Sequence, residues 1–96
     1  MSRRTLRWTK RAVDRLDQIG ESITRDNPEI AINVIAKIVS SVETLSDHPA
    51  FGRIGRVKGT RELVVNPYPY IVPYRVTSDS VEILTIIHAA QKWPEG

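Results

Sequence analysis

Tyr70-Ile71-Val72-Pro73-Tyr74-Arg75-Val76, followed by Thr77-Ser78-Asp79-Ser80 and Val81-Glu82-Ile83-Leu84-Thr85-Ile86-Ile87-His88, is the stretch whose reading decides the fold. Its first seven residues set Tyr70, Val72, Tyr74 and Val76 against Ile71, Pro73 and Arg75, the period-two pattern of a strand. The four polar residues that follow suit a turn. Residues 81–88 are apolar on both faces, which marks a central strand joined to the first as a hairpin. Pro73 has no N–H to give to a ladder, so the hairpin is bulged or open beside it.

Working outward, residues 61–65 place Leu63 and Val65 on one face and read as a further strand. Residues 47–59 show no period. Pro49, Gly52, Gly55 and Gly59 punctuate them as a loop that also carries Arg53, Arg56 and Lys58. Loops of this length in small domains are often functional. Upstream, Ala12, Val13, Leu16, Ile19, Gly20 and Ile23 recur at helical spacing, with Thr9 as N-cap, and predict a helix over 10–25. Asn27-Pro28 breaks it and starts a second helix over 28–46, because Asn caps well and Pro needs no N–H in the first turn. Ala31, Ile35, Ile38, Val42 and Leu45 form its stripe. Ile30, Ile32, Val34 and Val39 widen the stripe past half the circumference, the pattern of a helix wedged between layers. Thr5-Leu6-Arg7-Trp8 alternates like a short strand. The expected architecture is therefore α+β, in the order β-α-α-β-β-β, with a helical hairpin on one face of a small, mostly antiparallel sheet.

Ninety-six residues are expected to make one domain spanning 1–96. With no cysteine, thiolate metal sites, disulfides and cysteine nucleophiles are excluded. No apolar run reaches the ~20 residues a membrane span needs, and no hydrophobic stretch follows Arg3-Arg4, so neither a membrane anchor nor a signal peptide is expected and the location is cytoplasmic. The net charge of +3 is unevenly spread: residues 1–15 carry a surplus of five positive charges and residues 51–75 of four, with an acidic block between. Two basic blocks suit a polyanion or an acidic partner.

His48 and His88 are the only histidines and no carboxylates cluster near either, so no metal site is expected, and no cofactor motif is present. The chemistry worth weighing sits in Arg53, Arg56, Lys58, Arg61, Arg75 and His88, with Lys92 and Trp93 beyond. Such a group could hold phosphates, with His88 donating a proton and arginines stabilising developing charge. The plainer alternative pairs the arginines with Glu62 and Glu82, and lets His88 cap a strand end.

Residues 57–63, 69–76 and 81–88, together with the opening Leu6-Arg7-Trp8-Thr9-Lys10-Arg11-Ala12 and Leu16-Asp17, resemble the RelE/ParE toxin superfamily, and more closely its ParE-type members. The resemblance implies the toxin half of a type II toxin–antitoxin, or plasmid-stabilising, pair, neutralised by a cognate antitoxin. The apolar stripe Ile35, Ile38, Val42 and Leu45 would then offer an amphipathic groove for that antitoxin. ParE-type members poison DNA gyrase without a nuclease site. RelE-type members cleave mRNA on the ribosome, and Arg61, Arg75 and His88 would be the catalytic groups of that alternative. Ile71 stands where many nucleases carry an arginine, and Arg53, Arg56, Lys58, Lys92 and Trp93 are the expected contacts to the target or a polyanion.

Overall fold

Two side-chain caps start the helices where the sequence places them. In the computed structural model, which describes residues 3–94, the Thr9 hydroxyl accepts from the Ala12 N–H at 3.1 Å and opens α1, Lys10–Asp26. The Asn27 side chain accepts from the Ile30 N–H at 3.2 Å and opens α2, Pro28–Glu43. The helix runs on only as a 3-10 turn, Thr44–Ser46, so the expected end at 46 is reached in a tighter winding. Ahead of α1 lies β1, Thr5–Trp8.

The remaining strands are β2 (Arg53–Ile54), β3 (Arg61–Val65), β4 (Tyr70–Val76), β5 (Ser80–Ile83) and β6 (Ile87–His88). They form one sheet in the order β1-β5-β4-β3-β2, with β6 beside β4. Only β1 and β5 run parallel; every other pairing is antiparallel. Two details differ from the sequence reading. The irregular 47–59 loop contains β2, paired to β3 through Arg53 with Glu62 and Ile54 with Arg61. The continuous strand expected over 81–88 is broken, because Ile83 faces Tyr74 while Ile87 faces Ile71. Leu84, Thr85 and Ile86 thus stand opposite only Val72 and Pro73, which is a bulge. The cause is Pro73, whose nitrogen has no hydrogen to donate; its carbonyl still accepts from Leu84 at 3.0 Å.

Alternation sorts the sheet into two faces. Leu63, Val65, Val72, Tyr74, Val81 and Ile83 join Ala12, Ile19, Val34, Ile38, Val42, Leu45 and Ile86 in the core beneath the helices. The residues between them, including Glu62, Arg75 and Glu82, turn to the helix-free face. The helix α2 is not wedged between layers. Its Ile38, Val42 and Ala31 are buried, but Ile32 is 69% exposed and Ile30 43%, because nothing lies above the helical hairpin among the described residues. The wide stripe therefore overstated how much of α2 packs. Ile38→Ala should destabilise the fold by about 2–5 kcal/mol, the cost of a cavity in a packed core, whereas Ile32→Ala should stay within about 0.5 kcal/mol. Urea midpoints of the two variants check this, and equal losses would mean that the outer stripe is covered.

Candidate functional site

The segment between the 3-10 turn and β3 owes its shape to two buried polar side chains on the sheet. The Tyr74 hydroxyl, fully buried, donates to the Pro49 carbonyl at 2.7 Å and accepts from the Gly52 N–H at 2.8 Å. A Cβ at Gly52 would lie 2.7 Å from the Tyr74 ring, so the approach requires glycine. Burial pushes the Tyr74 hydroxyl's pKa up, while the Gly52 bond and the Arg61 charge act against that rise. Beside it, Glu62 is 1% exposed and gathers donors from Arg53 and Arg56. The Arg53 Nη2 lies 3.1 Å from Oε1, the Arg56 backbone N–H donates to Oε2 at 2.9 Å, and the Arg56 Nε lies 3.2 Å from Oε2. Burial alone would raise this carboxyl. The Arg56 N–H, the Arg53 hydrogen bond and the two positive charges outweigh it together and hold Glu62 below the ordinary carboxylate range.

The register decides which of the basic residues meet. Arg53 and Arg56 converge on Glu62. Arg75 lies on the same helix-free face, 3.7 Å from Glu82. Arg61 pairs with Tyr74 in register, which puts it on the helix side, where its Nη1 donates to the Gly52 carbonyl at 2.8 Å. His88 is also on the helix side. It faces Tyr70 in register, the rings meet edge to face at 5.8 Å, and its Nδ1 accepts from the Ala90 N–H at 3.1 Å. The bulge is what turns it there: one residue fewer in 84–86 would swing His88 to the opposite face. Arg61 and His88 sit opposite Tyr74 and Tyr70, four residues apart on β4, and on strands to either side of it, so they are about 16 Å from each other at the usual strand rise and spacing. Arg61, Arg75 and His88 thus do not share one surface.

Lys58 and Lys92 are exposed, and Trp93 is half-buried with the Arg11 guanidinium 5.6 Å from its ring, an anchor for the last described residues. Three of the four side chains expected to meet an antitoxin, Ile38, Val42 and Leu45, have no exposed surface, and Ile35 packs toward Gly20. They are the underside of α2, so a partner cannot touch them without opening the core. Apart from Val13 on α1 and Ile30 and Ile32 on the outer side of α2, the large apolar residues exposed among the described residues lie elsewhere. Phe51 is 70% exposed and Ile54 82%, at the edge of the sheet. There a groove of about 400 Å³ runs between α2 (Lys37, Ser40, Ser41) with Thr44 of the 3-10 turn on one side and Phe51, Leu63, Val64 and Asn66 on the other. Since β2 covers only Arg61 and Glu62, no strand flanks Leu63, Val64 or Val65 on that side among the described residues. Sequence reading named Glu62 and Glu82 as partners of the arginines, which the structure shows, but missed the burial of Glu62 and the roles of Tyr74 and Phe51. One signal for Glu62 was there: it is the only acid among five basic residues in 51–75.

A helical hairpin on a small mixed, mostly antiparallel sheet, with cations divided between its faces and an open apolar edge, defines a small α+β protein. Residues 6–93 match the family described as the ParE toxin of the type II toxin–antitoxin system parDE. The chain is 54% identical to a putative toxin, Y4kP, of Sinorhizobium fredii over 95 residues, 99% of this chain and 98% of that one. It is 34% identical to toxin RelE2 of Caulobacter vibrioides over 84 residues, 88% and 93% of the two chains. Among solved structures it resembles the chromosomal ParDE system of P. aeruginosa, with a TM-score of 0.81, 31% identity, and 88% and 95% of the two chains covered. It also resembles the RelBE2 toxin–antitoxin complex of Mycobacterium tuberculosis, with a TM-score of 0.63, 25% identity, and 95% and 97% covered. The chain belongs to the ParE toxin family of type II toxin–antitoxin systems.

The Glu62 cluster has a pH signature. Its folded-state pKa lies below that of the unfolded chain, so its contribution to stability is complete above the unfolded value of about 4.3 and is lost as pH falls through the lower folded value. Glu62→Gln should cost about 1–3 kcal/mol at pH 7 and flatten the decline in stability below about pH 4.5. Urea midpoints from pH 7 to 3 measure both effects; a variant with the wild-type acid slope would show that Glu62 is not the titrating group.

Proposed function

We propose that this chain is a single-domain toxin that acts in the cytoplasm by poisoning DNA gyrase and is silenced by a cognate antitoxin. ParE-family membership supports the gyrase reading, and so does the sheet register. A ribonuclease needs an acid–base group and its charge-stabilising partners within reach of one phosphate. Here Arg75 and His88 lie on opposite faces, and Arg61 is engaged by backbone carbonyls. The observation that carries the reading is this dispersal of Arg61, Arg75 and His88 in a ParE-family chain. No helix is long and apolar enough to cross a membrane among the described residues, in keeping with action on an internal target.

The antitoxin docks along the open edge of β3, where an apolar side chain fits the groove beside Phe51 and acidic residues meet Lys37 and Arg53. A second copy of this chain is a poor occupant, because self-pairing would bring these cations together.

Purified protein should inhibit gyrase supercoiling and trap cleaved DNA, and its induction should cause filamentation with a DNA-damage response while mRNA stays intact. Rapid mRNA cleavage with unaffected supercoiling would overturn the gyrase reading in favour of the RelE-type alternative. Phe51→Asp and Val64→Asp should weaken binding of the antitoxin encoded beside this gene by at least about tenfold, as loss of a buried anchor does, with toxicity kept. Calorimetric titration reads this, and unchanged affinity would exclude the edge as the docking surface.

A further inference from the structure

The helix-free face of the sheet carries an excess of positive charge. Register places Arg7, Glu82 and Arg75 in one row across β1, β5 and β4, and Arg53 and Glu62 in another across β2 and β3. Arg56 joins the second row through its contact with Glu62. Four guanidiniums against two carboxylates leave two surplus positive charges here, of a net +3 for the whole chain. The helical layer, residues 10–43, holds six carboxylates against five cations and offers no such field. Arg53 and Arg56 meet at Glu62, and at the usual spacing of strands and residues Arg75 stands about 10–12 Å from both Arg7 and Arg53, close to one Debye length at 0.1 M salt, so their potentials add.

The geometry points to this face as a docking surface for the phosphodiester backbone of duplex DNA, with Glu62 as the positioning residue that sets Arg53 and Arg56. The inference rests on the gyrase reading, since gyrase is the partner that would bring DNA to the toxin. Three observations favour phosphates over an acidic protein. The cations of the two rows are all arginine, whose planar fork suits phosphate oxygens and keeps donors free when one edge is engaged by a carboxylate. Arg53, Arg75 and Arg7 are exposed, and Arg7 has no ionic partner among the described residues. A protein interface seats an apolar centre within a polar rim; here Ile71, Pro73 and Ile87 are already buried, and the exposed Phe51 and Val64 lie at one margin.

Glu62 has this role beside its contribution to stability. Well-packed apolar residues often replace buried ion clusters at no loss of stability, so the carboxylate's distinctive effect is to fix where two guanidiniums point. Removing it makes the face more positive. Charge count alone therefore predicts tighter DNA binding by Glu62→Gln, whereas positioning predicts weaker binding.

The test uses a fluorescent duplex of about 24 base pairs, with anisotropy followed from 50 to 200 mM salt. Wild-type protein should bind with a log–log salt slope of about −2 to −4, as two to four phosphate contacts require. Arg7→Gln and Arg75→Gln should each reduce the slope by about one, while Arg25→Gln, the same charge change on an exposed helical residue, should leave it unaltered. Glu62→Gln, with its fold checked by circular dichroism, should bind several-fold more weakly. Face variants indistinguishable from Arg25→Gln would overturn the proposal, as would tighter binding to poly-glutamate or to an RNA duplex than to DNA. In a parallel supercoiling assay, wild-type protein that binds DNA with this slope but leaves gyrase untouched defeats the gyrase reading alone. Wild-type and face variants that inhibit gyrase equally defeat the DNA surface alone.

Discussion

A single missing hydrogen organises this sheet. Pro73 lies in the middle of β4 with a strand on either side, and its nitrogen cannot complete the ladder toward β5. The chain answers with three residues opposite two, and every side chain after the bulge changes face. Ile86 reaches the core because of this shift, and His88 turns toward Tyr70 rather than toward Arg75. The bulge thus decides through backbone geometry which side His88 takes, and keeps its imidazole off the face that holds the paired arginines.

The second constraint is the anchoring of a glycine-rich segment that has little secondary structure of its own. Residues 47–60 contribute a two-residue strand and no helix, yet they hold Phe51 and three of the basic side chains in place. Tyr74 supplies a hydroxyl that satisfies two backbone groups at once, and from the opposite face the Glu62 carboxylate takes one backbone N–H and two guanidiniums. Two neighbouring rows of β3 and β4 therefore grip the segment from both sides of the sheet. A polar pair suits this task better than apolar packing, because each bond fixes a direction as well as a distance.

How much of this was legible in the sequence follows from the range of each signal. Caps, helical stripes and strand alternation are local, so Thr9, Asn27 and the Tyr70 to Val76 alternation placed their elements correctly. Pro73 even announced a bulge, although the extra residue appears on the neighbouring strand, where no local pattern could show it. The apolar character of 81–88 hid the break, since a run apolar on both faces reads the same in either register. The stripe of α2 misled in another way: hydrophobicity marks what is able to be buried, and the helix has a layer on only one side. Glu62 was legible as a partner for the arginines but its burial was not, because alternation gives only the face, and burial came from two arginines folding over it.

The family and the fold were readable because they rest on the spacing of many residues, whereas the site depends on which side each residue faces. That distinction bears on how the toxin is controlled. The apolar groove and the arginine face meet at one corner, where Phe51, Gly52, Arg53, Glu62, Leu63 and Val64 line a shared cavity of about 240 Å³. An acidic segment laid along the β3 edge would reach Arg53 before any phosphate could, and would neutralise part of the field without covering the rest of the face. Inhibition of this kind needs no change in the toxin's shape. It requires only that the two ligands carry the same sign of charge and compete for one guanidinium that Glu62 holds in place.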